Sequence, residues 1–418
     1  MKVNLLYGEG HVEVHIPDGN LMAVLRSSRP PDSRDEVGEV RLSLENPVAG
    51  GFRRGSKALL LVTDYTRPTP LKTMLPPVFD RLERLGYREF TVLVANGLHE
   101  PASRELLEEF LGSEVFERAE VVNHDVSKRS ELTYVGETRM GTPLWVNSRL
   151  FEADLRVGCG VVEPHFFAGY SGGRKILLPG VAGKDAVFNN HSLRMIGDPK
   201  ARAGILSGNP IHEDMIEFMR QTRLNFIVNT TINKRKEITG IFAGDPIEAH
   251  LREVEFLDKH VKIAMEGEAD IVITTNGGYP LDRDVYQAVK GMDTAATIVR
   301  RGGVIIIAAE CRDGLGGHKE FVELTKGAGS PAEIIERIRK SEPIYDQWEA
   351  QVLARVLEKA RVILVSDHLP EKVARDLLLD HAKSLEEALE IAYGILGRRD
   401  ARVVAIPEGP YIIPVREM

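Results

Sequence analysis

Residues 163–191 gather side chains that could do chemistry. Glu163-Pro-His165 supplies an acid/base candidate in His165, because an imidazole titrates near neutrality. Ser171-Gly172-Gly173-Arg174-Lys175 supplies a glycine-rich turn, a guanidinium and an amine nucleophile. Glycines of this kind let a phosphate approach the backbone closely. His191, sixteen residues after Lys175, is a candidate metal ligand. A packed core has no use for that combination, whereas a site for a phosphorylated, metal-bearing cofactor does. The plainer alternative is a flexible glycine loop with a salt-bridging lysine.

Three other segments carry the same kind of signal. In Asp64-Tyr-Thr-Arg67-Pro68, the proline biases Arg67 away from helix. Arg67 then suits a carboxylate or phosphate, or else an Asp64–Arg67 pair braces a turn. Asn96-Gly-Leu-His99 offers His99 as a second general base or as a solvated loop histidine. Tyr286, Gln287 and Lys290 have helical spacing and can share a face, lining a cleft or facing solvent. Other signatures are missing. Gly158 and Gly160 begin a GxGxxG pattern, but Glu163 holds its third glycine position. Neither Lys175 nor Lys184 is followed by Ser or Thr, so there is no Walker A loop. With no HExxH motif, a bound metal would take most of its ligands from a cofactor.

The elements that must position these residues alternate between apolar β-branched runs and amphipathic segments. Strands are predicted at 57–64, 90–97, 119–125, 153–160, 269–278, 302–311, 360–367 and 401–409. Helices are predicted at 75–86, 103–112, 246–265 and 284–299. This pattern implies two α/β, Rossmann-like domains with mostly parallel sheets. The expected spans are 1–265 and 266–399, with the tail at about 400–418 packing back on the first domain. Ligands of open α/β sheets sit beyond strand carboxyl ends, which is where Asp64–Arg67, Asn96–His99, Glu163–Lys175 and Asn276–Tyr279 fall. One interdomain cleft would collect them.

Composition narrows the classes. A net charge of −8 argues against nucleic acid and anionic membrane as partners. No apolar run reaches the length of a membrane helix, and the amino terminus lacks a signal-peptide core. Two distant cysteines, Cys159 and Cys311, fit a reducing, cytoplasmic setting.

Taken together, the segments DYTRP (64–68), GLHEP (97–101), PHFFAGYSGGRK (164–175), NNH (189–191), GGYPLD (277–282), YQAVKG (286–291) and DQW (346–348) resemble the nickel-dependent lactate racemase family along the whole chain. The resemblance implies an isomerase, a 2-hydroxy-acid racemase or epimerase. It implies a nickel-pincer nucleotide joined to Lys175 through a thioamide, with His191 completing the nickel coordination. It implies proton-coupled hydride transfer through a transient 2-keto acid, with His99 and His165 on opposite substrate faces. Arg67 and Lys290 would hold substrate carboxylate or cofactor phosphate, and Ser171, Gly172, Gly173 and Arg174 would cradle the nucleotide phosphate. Asp64, Tyr286, Gln287 and Trp348 would complete the site. Dedicated biosynthetic enzymes would have to supply the cofactor. Lactate is the default substrate, with Arg194 and Arg283 leaving a dicarboxylate open. Two other classes compete: an NAD-linked dehydrogenase or nucleotide-dependent transferase, and a non-catalytic cofactor-binding homologue. Tight binding of NAD would favour the first of these, and cofactor retention without turnover the second.

Overall fold

The computed structural model describes residues 1–28, 35–233 and 235–417; Met418 of the tail lies outside them. Two six-stranded sheets dominate. The first runs Ile238–Gly244, Phe226–Ile232, Leu155–Val161, Lys57–Thr63, Glu89–Ala95, Glu120–Asn123, parallel except for its first pair. The second runs Asp380–Ala382, Ala360–Val365, Val299–Ala308, Ala269–Thr275, Val403–Ile406, Leu21–Val24, parallel throughout. Central strands such as Lys57–Thr63 and Ala269–Thr275 are buried along almost their whole length. That is why they read as unbroken apolar runs rather than alternating ones.

Helices cover both sheets. Leu71–Arg84 begins four residues before the predicted start, because its buried face extends back through Leu71 and Met74. Arg104–Leu111 is capped by Ser103, whose side chain accepts from the Leu106 amide. The predicted helix 246–265 stops early. Glu248–Val261 is helical, and Lys262–Glu266 is a strand paired in parallel with Ile413–Glu417. A partner from the far end of the chain leaves no local periodicity to read.

Long-range pairing also governs the two ends of the chain. The hairpin Lys2–Tyr7/Gly10–His15 buries Val3, Leu5 and Val14 against Ile271, Ile273 and Val304 of the second sheet. Leu21–Val24 forms the edge of that sheet, so the first residues of the chain build on the second domain. The tail divides. Val403–Ile406 lies inside the second sheet, whereas Ile413 packs on Val162 and Tyr170 of the first domain. Among the described residues no helix is long and apolar enough to cross a membrane.

Candidate active site

Strands Lys57–Thr63 and Glu89–Ala95 pair in register, with Thr63 opposite Ala95, so both leave the sheet at one edge. Asp64 and His99 therefore meet. The Asp64 carboxylate is 3% exposed and accepts from Thr66 Oγ1 at 2.7 Å and from His99 Nδ1. Burial pushes the Asp64 carboxyl up, but the His99 hydrogen bond and the Arg67 charge outweigh it and hold it below the ordinary range. With Nδ1–H given to Asp64, His99 presents Nε2 outward as a proton acceptor. Arg67 is exposed at the rim. Its charge is felt by His165, Lys175 and Lys290.

After Leu155–Val161, Pro164–His165 folds back on Gly169–Tyr170 as a short antiparallel pair. His165 stacks on Phe166 at 5.0 Å and meets the Phe167 edge at 4.5 Å. Its Nδ1 accepts from the Ala168 amide at 3.3 Å, which turns Nε2 toward Lys175 Nζ, 3.1 Å away. Burial, reinforced by Lys175, Lys290 and Arg67, holds the His165 imidazole well below its usual pKa. Burial and the nearby Arg174, Arg67 and Lys290 charges do the same to the Lys175 amine. Lys175 is thereby disposed to be a neutral nucleophile.

The glycine turn is held together by its own side chains. Arg174 is 1% exposed, and its guanidinium donates to the carbonyls of Ala168 (2.7 Å), Ser171 (3.3 Å) and Gly172 (3.3 Å). Ser171 Oγ accepts from the Glu163 amide and donates to the Val161 carbonyl. A Cβ on Gly172 would lie 2.4 Å from Val162, and one on Gly173 would lie 2.9 Å from the His250 ring. These contacts brace the turn that carries Lys175, with Gly173 and Arg174 buried and Ser171 and Gly172 half-buried. Gly158 and Gly160 lie within the strand Leu155–Val161 instead of forming a strand–helix loop. That arrangement removes the support for a dinucleotide fingerprint.

His191 ends the short helix Lys184–Asn190 and is 5% exposed. Its ring is met edge-on by Phe167 at 4.9 Å and Trp348 at 5.3 Å. His191 Nδ1 has no hydrogen-bond partner among the described residues. Burial, then Lys175, keeps the imidazole well below its usual pKa, so a lone pair is free for a metal. Among the described residues no group of three or more His, Cys, Asp and Glu could hold an ion unaided.

The second domain closes the opposite wall. Helix Val285–Ala296 carries Tyr286, Gln287 and Lys290. Lys290 Nζ donates to Gln287 Oε1 at 2.5 Å and lies 5.9 Å from the Phe166 ring centre. Burial pulls Lys290 down to about 8 against the opposing pull of Glu349. The Tyr286 hydroxyl donates to Asp346 at 3.1 Å, and Asp346 also accepts from His318 Nδ1 at 2.9 Å. Sequence reasoning missed Glu349, which is 1% exposed and one residue beyond Trp348. Asn276–Tyr279 does not join the cleft. Asn276 is committed to Leu281 and Gly291, and Tyr279 is exposed beneath Arg312. Nor do the two extra arginines: Arg283 pairs with Asp313 at 2.9 Å, and Arg194 donates to the Met140 carbonyl.

Comparison with known proteins identifies the family and the fold. The family description "Lactate racemase N-terminal domain" matches residues 7–204, and "Lactate racemase C-terminal domain" matches 264–413. The lactate racemase of Thermoanaerobacterium thermosaccharolyticum is 37% identical over 430 residues, covering 99% of each chain. That of Lactiplantibacillus plantarum is 36% identical, covering 98% of this chain and 99% of its own. The apoprotein structure of the first superposes with a TM-score of 0.94, over 99% of this chain and 100% of its own. A Thermotoga maritima protein shares the fold at TM-score 0.69 and 20% identity, over 94% of this chain and all of its own. The chain belongs to the lactate racemase family, a family of isomerases.

Proposed function

We propose that the protein interconverts the enantiomers of lactate or a related 2-hydroxy acid, using a nickel-pincer nucleotide attached to Lys175. The observation that carries this reading is the gathering of an amine and an unpartnered imidazole in one site. The Lys175 amine is held well below its usual pKa by burial and neighbouring cations and lies 3.1 Å from His165 Nε2, and buried His191 has an Nδ1 with no hydrogen-bond partner among the described residues. Those groups fit a cofactor that needs one nucleophile for attachment and one nitrogen for its metal. The absence of a three-residue metal cluster among the described residues fits a metal held mainly by the nucleotide. When bound, the nucleotide would supply a reversible hydride acceptor for the substrate α-carbon.

The protein's own groups do the rest. His99, oriented by the Asp64 carboxylate at Nδ1, takes the hydroxyl proton at Nε2. His165 is the second proton carrier, held by Phe166, Phe167 and the Ala168 amide. Arg67 and Lys290 offer cations to the substrate carboxylate, one from each domain. Gln287 orients the Lys290 ammonium. Phe166, Phe167 and Trp348 keep water from the reacting centre. With Arg194 and Arg283 engaged elsewhere, a monocarboxylate is favoured over a dicarboxylate. Enzymes that make the nucleotide would be obligatory partners, and two buried free cysteines suit a cytoplasmic setting.

The test supplies enantiopure D- or L-lactate to cofactor-loaded protein and follows the opposite enantiomer by chiral chromatography. Both should converge on an equal mixture. His99→Gln and His165→Gln should each slow conversion by about a hundredfold or more. Retention of one enantiomer by fully loaded protein would contradict lactate as substrate.

A further inference from the structure

One contact between the domains, made by Gln351, lies outside the machinery described above. Helix Gln347–Lys359 belongs to the second domain, yet its amino-terminal end is applied to the segment that carries His191. Tyr345 meets Phe188 edge-on at 5.4 Å, and Trp348 meets His191 at 5.3 Å. One turn further, Gln351 Nε2 donates to the Leu193 carbonyl at 2.9 Å. Trp348 and Gln351 are three residues apart and so share a face. Phe188, His191 and Leu193 are the matching contacts along the first domain.

Gln351 is 6% exposed, and its Oε1 has no partner among the described residues, so the amide N–H carries the contact. Its acceptor begins the helix Leu193–Ile196, which has four residues. A helix that short has almost no stability of its own and takes its position from what it touches. The Leu193 carbonyl also accepts from the Gly197 amide at 3.0 Å, so Gln351 fills its second lone pair. At Gly197 a Cβ would come 2.8 Å from the Leu193 carbonyl oxygen, so the bare backbone keeps that acceptor open.

We propose that Gln351 is a positioning residue that latches the second domain to the His191 segment, setting Trp348 against the imidazole and fixing its direction. The latch itself stands on geometry. Only its effect on the metal rests on the reading of His191 as nickel ligand. Without the hydrogen bond, Trp348 withdraws and the His191 ring gains freedom. With it, the assembled cleft and an oriented ligand form together.

The test separates the two. The protein has two tryptophans, Trp145 and Trp348, so a Trp145→Phe background makes Trp348 the sole reporter. In apoprotein, Gln351→Leu should raise acrylamide quenching of Trp348 about two-fold or more, with the melting midpoint recorded alongside. Gln351→Glu adds a pH signature. Its carboxyl donates to Leu193 when protonated and repels that carbonyl when ionised. Quenching in Gln351→Glu should therefore match the background protein at pH 5 and rise toward the Leu variant at pH 9. In loaded protein, nickel release to a chelator should quicken on the order of five-fold, the factor for one hydrogen bond of about 1 kcal/mol. Unchanged quenching in Gln351→Leu, or no pH reversal in Gln351→Glu, would overturn the latch whatever the role of His191. Raised quenching with unchanged nickel release would overturn the link to the metal ligand and leave an interdomain contact alone.

Discussion

Asp64 and His99 form the part of the site whose chemistry is most directly testable at the level of one residue. The carboxylate is almost fully buried and binds the imidazole Nδ1–H, so it fixes the tautomer that leaves Nε2 as the acceptor. Asp64→Asn keeps the shape and removes the charge. It should lower kcat by about a hundredfold or more while KM stays within a few-fold. Steady-state kinetics of the loaded variant check this, and a kcat within about threefold of the parent would contradict the assigned role. The two residues were legible separately, each as a polar residue just past a strand. Their contact was not, because it depends on two strands being neighbours in register. Arg174 and Ser171 show contacts that the sequence does not. Their types and spacing suit a phosphate, and which neighbours a side chain binds inside the turn is decided by packing. Here Arg174 is committed to three carbonyls.

At the level of the element, the turn from Ser171 to Lys175 is the device that aims the amine. Gly172 has φ +71°, and a Cβ there would fall 2.4 Å from Val162 and 3.0 Å from Asn229. Gly172→Ala should therefore cost about 2–4 kcal/mol, read as a lower urea midpoint with an unchanged m value. A midpoint equal to that of the parent would show that the turn has slack. The parallel strands and their crossover helices were legible because buried strands and amphipathic helices have distinct periods. The hairpin Leu132–Glu137/Pro143–Asn147 and the strands Phe226–Ile232 and Ile238–Gly244 went unassigned. Helix Gln347–Lys359 also went unassigned, although its Trp348 carried a family motif. Its other contributions, Glu349 and Gln351, show no signal until the helix is docked.

Over the whole molecule, buried titratable groups set the acid response. Burial lowers His124 to about 4 and His250 to about 3, and it pushes His165, His191 and His212 down as well. Below about pH 6.5 the unfolded chain takes up protons that these native histidines refuse, so stability falls as pH drops. Glu253, Asp282, Asp284 and Glu349, pushed up by burial, act in the other direction above about pH 4–4.5, but they are four against five. Between about pH 6.5 and 4.5, each fully buried histidine removes up to roughly 1.4 kcal/mol per pH unit. The apoprotein's melting temperature should accordingly drop steadily across that window, and a flat profile would contradict the buried, neutral state of the histidines. Domain assembly was the least legible feature at this scale. The chain's first strands and its last ones cross between bodies that local pattern kept apart.

The central claim is that Lys175 carries the cofactor and His191 its metal. The most direct measurement is intact mass with nickel analysis on protein from a host that makes the nucleotide, for the parent, Lys175→Ala and His191→Ala. The account predicts a nucleotide-sized addition and about one nickel per chain in the parent. It predicts no covalent addition in Lys175→Ala, and the addition without retained nickel in His191→Ala. A covalent addition that survives Lys175→Ala, or an unmodified parent without nickel from such a host, would contradict it.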